Sequence, residues 1–218
     1  MIGAKSYGKR FDRFCVFFAL YFESIVMTLQ AEALIPTKWG NFRMLAFSDH
    51  PTNWMPHLAL VHEKTDLTGP VLTRIHSECI TGDLFGSRRC DCGEQLYGAM
   101  EMIARDGGII IYLRQEGRGI GIINKLKAYN LQDLGLSTVD ANIHLGLEVD
   151  ARDYHIAIDM LNAMEIKSVR LLTNNPDKIE VFDNSGIELL DRVPLIIAPH
   201  AENLNYLKTK QEEMGHLF

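Results

Sequence analysis

The hydrophobic positions of this chain begin at strand spacing. They then alternate between helical spacing and short unbroken apolar runs. From Trp39 the pattern predicts strands over Phe42–Phe47, Leu58–His62 and Val71–Ile75, with Gly69-Pro70 as the turn between the last two. Leu96, Ala99, Met100 and Ile103 recur at helical spacing, and Gly107-Gly108 stops that helix. The run Ile109–Leu113 predicts a buried strand. Ile122, Ile123, Leu126 and Tyr129 give a second helical face, Ala157, Met160, Leu161 and Met164 a third, and Val169–Leu172 the next buried strand. In Asn174-Asn175-Pro176, Asn175 can cap a helix whose first position suits Pro176, where no backbone donor is needed; Gly186 fits its end. Ile187–Leu190 and Val193–Ile197 predict further strands, and Leu204, Leu207 and Met214 a last helix. Strands first and strand–helix alternation afterwards predict an α/β fold: a mixed β-sheet covered by helices. No linker divides the chain, so a single domain is expected.

Length and composition agree with that picture. The 218 residues suffice for a substantial core, and 47% hydrophobic with 23% charged residues is ordinary for a globular protein. The net charge of −6 argues against a nucleic-acid partner, although a local basic cluster could still hold a small anion. Arg88, Arg89, Arg114 and Arg118 are candidates for such a cluster. The first residues stand apart. Lys9, Arg10 and Arg13 precede an apolar run, Phe14–Phe22, too short to span a bilayer and followed by no convincing signal-peptide cleavage site. Residues 1–26 are therefore expected to be an extension outside the fold, disordered or a start-site artefact, with Met27 the natural start and 27–218 the domain.

The chemistry concentrates at HSECITGDLFGSRRCDC, residues 76–92, which holds Cys79, Cys90 and Cys92. Three thiolates can bind zinc and leave its fourth tetrahedral position open, as a catalytic site requires. The remaining Cys15 is distant, and so few cysteines suggest a reducing compartment. Arg74–Glu78 delivers charged groups to the same place. His76 reads equally as a structural histidine or a site residue, and Glu78 as a proton acceptor or a carboxylate orienting the metal ligands. Arg114–Gly121 follows a buried strand and precedes a helix, where glycines, arginines and helix dipole favour an anion. Asp150 and Arg152 would act on one substrate only from a loop or a first helical turn, and Thr173 with Lys178 could bind phosphate.

HSECITGDLFGSRRCDCG, RQEGRGIGIINK, LQDLG with Thr138, and LLTNNPDK together resemble GTP cyclohydrolase II, in order and at matching spacing, from about residue 30 to Phe218. The resemblance implies zinc-dependent opening of the guanine imidazole ring of GTP, releasing formate and pyrophosphate as the first committed step of riboflavin synthesis. It implies one Zn2+ on Cys79, Cys90 and Cys92, Mg2+ accompanying the triphosphate, and a cytoplasmic homodimer acting on a small molecule, with no membrane partner. GTP contacts are implied at Arg74, Ile75, His76, Ser77, Glu78, Gln95, Glu116, Gly117, Arg118, Thr138, Thr173 and Lys178, with Glu116 suited to the guanine edge. Asp150 matches the proton acceptor, and Tyr129 a tyrosine associated with completing the reaction. Arg152 matches a nucleophile toward the α-phosphorus, for which electrostatic clamping is an equally natural role. Two other classes compete: a zinc nucleobase deaminase, whose H-x-E element is met by His76-Ser77-Glu78 but whose Pro-Cys-x-x-Cys element is missing, and a zinc-stapled binding module.

Overall fold

The structure is a computed structural model that describes residues 27–212 and 215–217. The extension 1–26 with its Cys15, and Met214 of the last expected helix, lie outside the described residues. The elements in chain order are β1 (Thr28–Thr37), β2 (Gly40–Ser48), β3 (His57–His62), β4 (Val71–Ser77), α1 (Ile80–Asp83), α2 (Cys92–Asp106), β5 (Ile109–Leu113), α3 (Gly121–Asp133), α4 (Thr138–His144), α5 (His155–Ala163), β6 (Ser168–Leu172), α6 (Asp177–Glu180), β7 (Glu188–Val193) and α7 (Leu204–Glu212). The described strands form one seven-stranded sheet in the order β1-β2-β3-β5-β4-β6-β7. The β1, β2, β3 and β5 pairings are antiparallel, whereas β5, β4, β6 and β7 pair in parallel. The mixed α/β sheet is thus as expected.

The central strands alternate their burial between two cores. Ile109, Ile111 and Leu113 of β5 pack with Ala157, Ile158 and Leu161 of α5, while Ile110 packs with Ala99, Met100 and Ile103 of α2. A strand covered on both faces has no polar side, which is why β5 is an unbroken apolar run. The chain leaves β4 through α2 to β5 on one side, and β6 lies on the other. Ligand crevices of open α/β sheets form beyond the carboxyl ends of strands at such a reversal.

Three expectations need correction. β1 was not anticipated: it is an edge strand, mostly exposed on both faces, so no periodic burial marks it. The two strands expected at 187–190 and 193–197 are one, Glu188–Val193. Beyond it the backbone is satisfied by a side chain instead of a ladder: Leu195 N–H donates to Asn174 Oδ1 at 3.2 Å, and Asn174 Nδ2 donates to Leu195 O at 2.7 Å. The helix expected from Pro176 to Gly186 is only α6, although Asn175 Oδ1 does accept from Asp177 N–H at 3.0 Å.

Because Leu161 is fully buried between α5 and the sheet, Leu161→Ala should lower unfolding free energy by about 2–5 kcal/mol. Removing the exposed Arg43–Glu32 pair through Arg43→Ala should cost less than about 1 kcal/mol. Urea titration followed by circular dichroism measures both, and equal losses would contradict this account of the core.

Candidate functional site

Three parallel strands deliver the site. β4 ends at His76 and Ser77, β5 feeds the glycine–arginine turn, and β6 feeds Thr173–Lys178. Beyond these ends lie two adjoining clefts of about 590 and 610 Å³, one basic and one walled by thiols. Ser77, Cys92, Arg118, Arg152 and Tyr206 line both.

The thiol cleft depends on a close backbone approach. Gly93, at the start of α2, sits against Gly82 of α1 so tightly that a Cβ there would overlap the Gly82 carbonyl. A Cβ at Gly82 would in turn press on Cys90 Sγ at 3.1 Å and Cys79 Sγ at 3.2 Å. With both side chains absent, the three sulfurs gather within 4.8 Å of one another, Cys79 and Cys90 at 3.6 Å. Tetrahedral zinc–thiolate bonds of about 2.3 Å require sulfurs ~3.8 Å apart, so the trio fits such an ion. Hydrogen bonds from Cys90 and Cys92, reinforced by the Lys125 ammonium, hold Cys79 as a thiolate far below the usual thiol pKa. Cys90, donating to that thiolate, is pushed up to about 11. A bound cation displaces such protons.

Polar groups around the trio fix its geometry. The Asp83 carboxylate accepts from Cys79 N–H at 2.9 Å, Tyr112 OH at 2.9 Å and His76 Nε2 at 3.0 Å. Lys125 Nζ donates to Cys79 Sγ at 3.0 Å and to Glu116 Oε1 at 2.7 Å, and Glu116 Oε2 accepts from Ile80 N–H at 2.5 Å. Glu78 lines the thiol cleft beside Arg114 at 3.2 Å, and burial raises its pKa above the ordinary carboxylate value. Tyr129 and Thr138 line the same cleft.

The basic cleft gathers Arg74, Arg118, Arg152, Lys178 and Lys210. Among the described residues two have carboxylate partners: Arg152 pairs with Asp150, and Lys210 with Asp91 at 2.5 Å. Arg74 donates to Leu172 O at 2.9 Å and Gln95 Oε1 at 2.6 Å, and Lys178 to Ile75 O at 2.9 Å. Burial, followed by repulsion from Arg74, Arg152 and Lys210, drives the Lys178 pKa well below that of a free lysine. Burial and then Lys210, Arg152 and Lys178 bring His216 down to about 4. Both terminal guanidinium nitrogens of Arg118 are buried without a hydrogen-bond partner among the described residues. Its backbone is left-handed (φ 63°), and Gly119 (φ 87°) runs so close to the next loop that a Cβ would lie 2.9 Å from Ala151 O. The clasp is completed by Ala151 N–H donating to Arg118 O at 3.0 Å. Asp150 and Arg152 do sit in a loop, where Asp150 Oδ1 accepts from Arg152 N–H at 3.1 Å and turns the two side chains together.

Several expected residues have other placements. Arg88 and Arg89 are exposed and pair with Glu202 and Asp133, and Arg114 is occupied by Glu78, so of the four arginines only Arg118 enters the basic cleft. Glu116 lines neither cleft: its Oε2 accepts from Ile80 N–H and its Oε1 from Lys125 Nζ, which leaves further acceptor sites on the carboxylate. The Ile75 side chain is in the core, and only its carbonyl faces the site, through Lys178. His76, Gln95 and Thr173 line the basic cleft, and Gly117 the thiol cleft. Missed by sequence reasoning were Asp83, Lys125, Tyr206 and Lys210. Asp83 and Lys125 stand inside the recognised motifs, but no rule of spacing singles them out. Tyr206 and Lys210 arrive from α7, whose helical spacing gives no sign that it reaches the site.

A family model described as GTP cyclohydrolase II matches residues 28–194. A GTP cyclohydrolase-2 of Buchnera aphidicola subsp. Schizaphis graminum is 52% identical over 187 residues, covering 85% of this chain and 95% of that protein. One from Neisseria meningitidis serogroup C (strain FAM18) is 51% identical over 188 residues, covering 86% and 94%. A riboflavin biosynthesis protein RibBA of Chlorobium phaeovibrioides is 50% identical, covering 85% of this chain and 45% of its own length.

The Gly82–Gly93 approach makes a direct prediction. Gly93→Ala should separate α1 from α2 and disperse the thiols, lowering bound zinc per chain at least about tenfold under chelator competition. Undiminished zinc by atomic emission would show that the close approach is dispensable.

Proposed function

The chain belongs to the GTP cyclohydrolase II family, and on that premise we propose that it hydrolyses GTP, opening the guanine imidazole ring with release of formate and pyrophosphate for riboflavin synthesis. One observation carries this reading: a three-thiol cluster and a cleft with unbalanced cations share the walls Ser77, Cys92, Arg118, Arg152 and Tyr206. A purine held beside the sulfurs has its 5′ polyphosphate in the basic cleft. No comparable feature supports a deaminase or a binding module.

Zinc on Cys79, Cys90 and Cys92, when bound, supplies a Lewis acid that lowers the pKa of water toward neutrality and so furnishes a nucleophile for carbon 8. Lys125 and Asp83 hold the sulfur of Cys79 and its backbone in place for that ion. Arg74, Arg118 and Lys178 bind the polyphosphate, with Mg2+ accompanying it, and Gln95 and Thr173 fix the near wall. Gly117 and Thr138 line the base side, where Glu116, held by Lys125 and Ile80, is the group suited to the guanine edge. Tyr129 stands over the ring-opening chemistry, and Asp150 is the proton acceptor implied by the resemblance. Burial works against the charge of Arg152, but its hydrogen bonds to Asp150 override this and keep the pKa above the ordinary arginine value. A guanidinium held charged favours clamping of the developing phosphate charge over nucleophilic attack. A cytoplasmic homodimer is carried from the resemblance. Among the described residues no helix is long and apolar enough to cross a membrane.

Zinc-loaded protein given GTP and Mg2+ should release formate and pyrophosphate in equal amounts. Cys90→Ser should lower kcat/KM by about a thousandfold or more. Lys178→Met should lower it ~10- to 100-fold, as expected for a lost charge-assisted bond, with zinc still bound. Ammonia release, or full formate release by Cys90→Ser, would refute the assignment.

A further inference from the structure

The basic cleft has a wall that lies beyond the span of the family model. That match ends at residue 194, yet Tyr206, Lys210 and His216 all line the cleft. The segment carrying them is firmly placed: Leu217 N–H donates to Asn174 O at 2.8 Å, and His216 N–H to Lys210 O at 3.0 Å. Asn174 belongs to the loop that presents Thr173 and Lys178, so the tail is pinned to the phosphate side of the site.

Lys210 is buried, and its ammonium has two kinds of neighbour. It donates to Asp91 Oδ1 at 2.5 Å and lies 4.6 Å from the Tyr206 ring centre. Asp91 stands between Cys90 and Cys92, and its other oxygen accepts from Gln95 Nε2 at 2.5 Å. Gln95 Oε1 in turn receives Arg74 at 2.6 Å. A continuous line of buried and half-buried polar contacts therefore joins α7 to the loop of the metal-site cysteines and to the cation on β4. The cleft that this line borders holds Arg74, Arg118 and Lys178 without carboxylate partners among the described residues, and buried cations are costly unless an anion joins them. An ammonium has three donors, and Asp91 occupies one.

We propose that α7 (Leu204–Glu212) is a working wall of the nucleotide site, with Lys210 binding the polyphosphate while its bond to Asp91 keeps Gln95 and Arg74 aligned on the same anion. The proposal rests on the reading of the basic cleft as the polyphosphate site. It adds a substrate contact and a positioning relay from the C-terminal helix.

The test uses full-length, zinc-loaded protein and inorganic tripolyphosphate, with Kd measured by titration calorimetry. Lys210→Met should weaken tripolyphosphate about tenfold and raise KM for GTP by a similar factor, leaving guanosine affinity and zinc content unchanged. The double variant Lys210→Met/Asp91→Asn removes both buried charges, so it keeps the test valid if the single variant folds poorly; the same weakening is expected. Lys208→Met, in the exposed pair with Glu212, should match wild type. In wild type, tripolyphosphate should also slow amide exchange across 204–212. Unchanged tripolyphosphate affinity in both Lys210 variants, or unchanged exchange in α7, would overturn the proposal. If GTP is opened while the variants bind normally, the inference falls and the proposed function stands. If GTP is not opened but Lys210→Met still loses tripolyphosphate, the reverse holds.

Discussion

The arrangement of this molecule depends on two missing side chains. Gly82 and Gly93 bring α1 and α2 into backbone contact, and only that approach lets a thiol from the end of β4 meet two from the start of α2. The contact is local, but its consequences are not. It sets the sulfur spacing and places Asp83 where one carboxylate receives Cys79, His76 and Tyr112. It also aims Asp91 away from the sulfurs, toward Gln95 and Lys210. Any residue larger than glycine at position 93 would shift all of these together.

Charge is partitioned with equal economy. The sulfurs form a negative centre, and Lys125 is the one buried cation that touches it, itself balanced by Glu116. A few residues away, the basic cleft leaves three cations without carboxylates among the described residues, and burial, followed by repulsion from neighbouring cations, lowers the pKa of Lys178 and His216. A site with separate cation-binding and anion-binding halves, joined by common walls, matches a substrate that is a heterocycle at one end and a polyphosphate at the other. The net charge of the chain shows none of this, because the acidic surface outweighs the basic interior.

Much of this was legible in the sequence, and the remainder was hidden for physical reasons. β5 and β6 announce themselves as unbroken apolar runs because both faces are buried, and α2 announces itself by the stripe it lays on the sheet. β1 gives no such signal, being an exposed edge. The loop after β7 mimics a strand in composition, yet its backbone is satisfied by the Asn174 amide, a long-range partner that no local pattern encodes. The thiol trio was readable from its spacing, as were Arg118 and Lys178 from their motifs. That Glu116 also holds Ile80 and Lys125 beside the thiols is a tertiary fact that its motif does not encode. Lys210 lies 119 positions from Asp91, so its role depends wholly on the fold.

The strained turn at Arg118 connects these themes. A left-handed arginine costs backbone energy that glycine would not, so its retention needs a return. That return is found in the clasp: Arg118 O accepts from Ala151 N–H, Gly119 packs on the same residue, and the Asp150–Arg152 pair is thereby fixed against the shared wall of both clefts. In this conformation the Arg118 guanidinium lines the cleft with its terminal nitrogens unsatisfied among the described residues. An arginine elsewhere in the turn would supply the same charge, but not from the position where the two loops lock. The strain, the clasp and the unsatisfied donors are therefore one device, which orients a cation before any anion arrives.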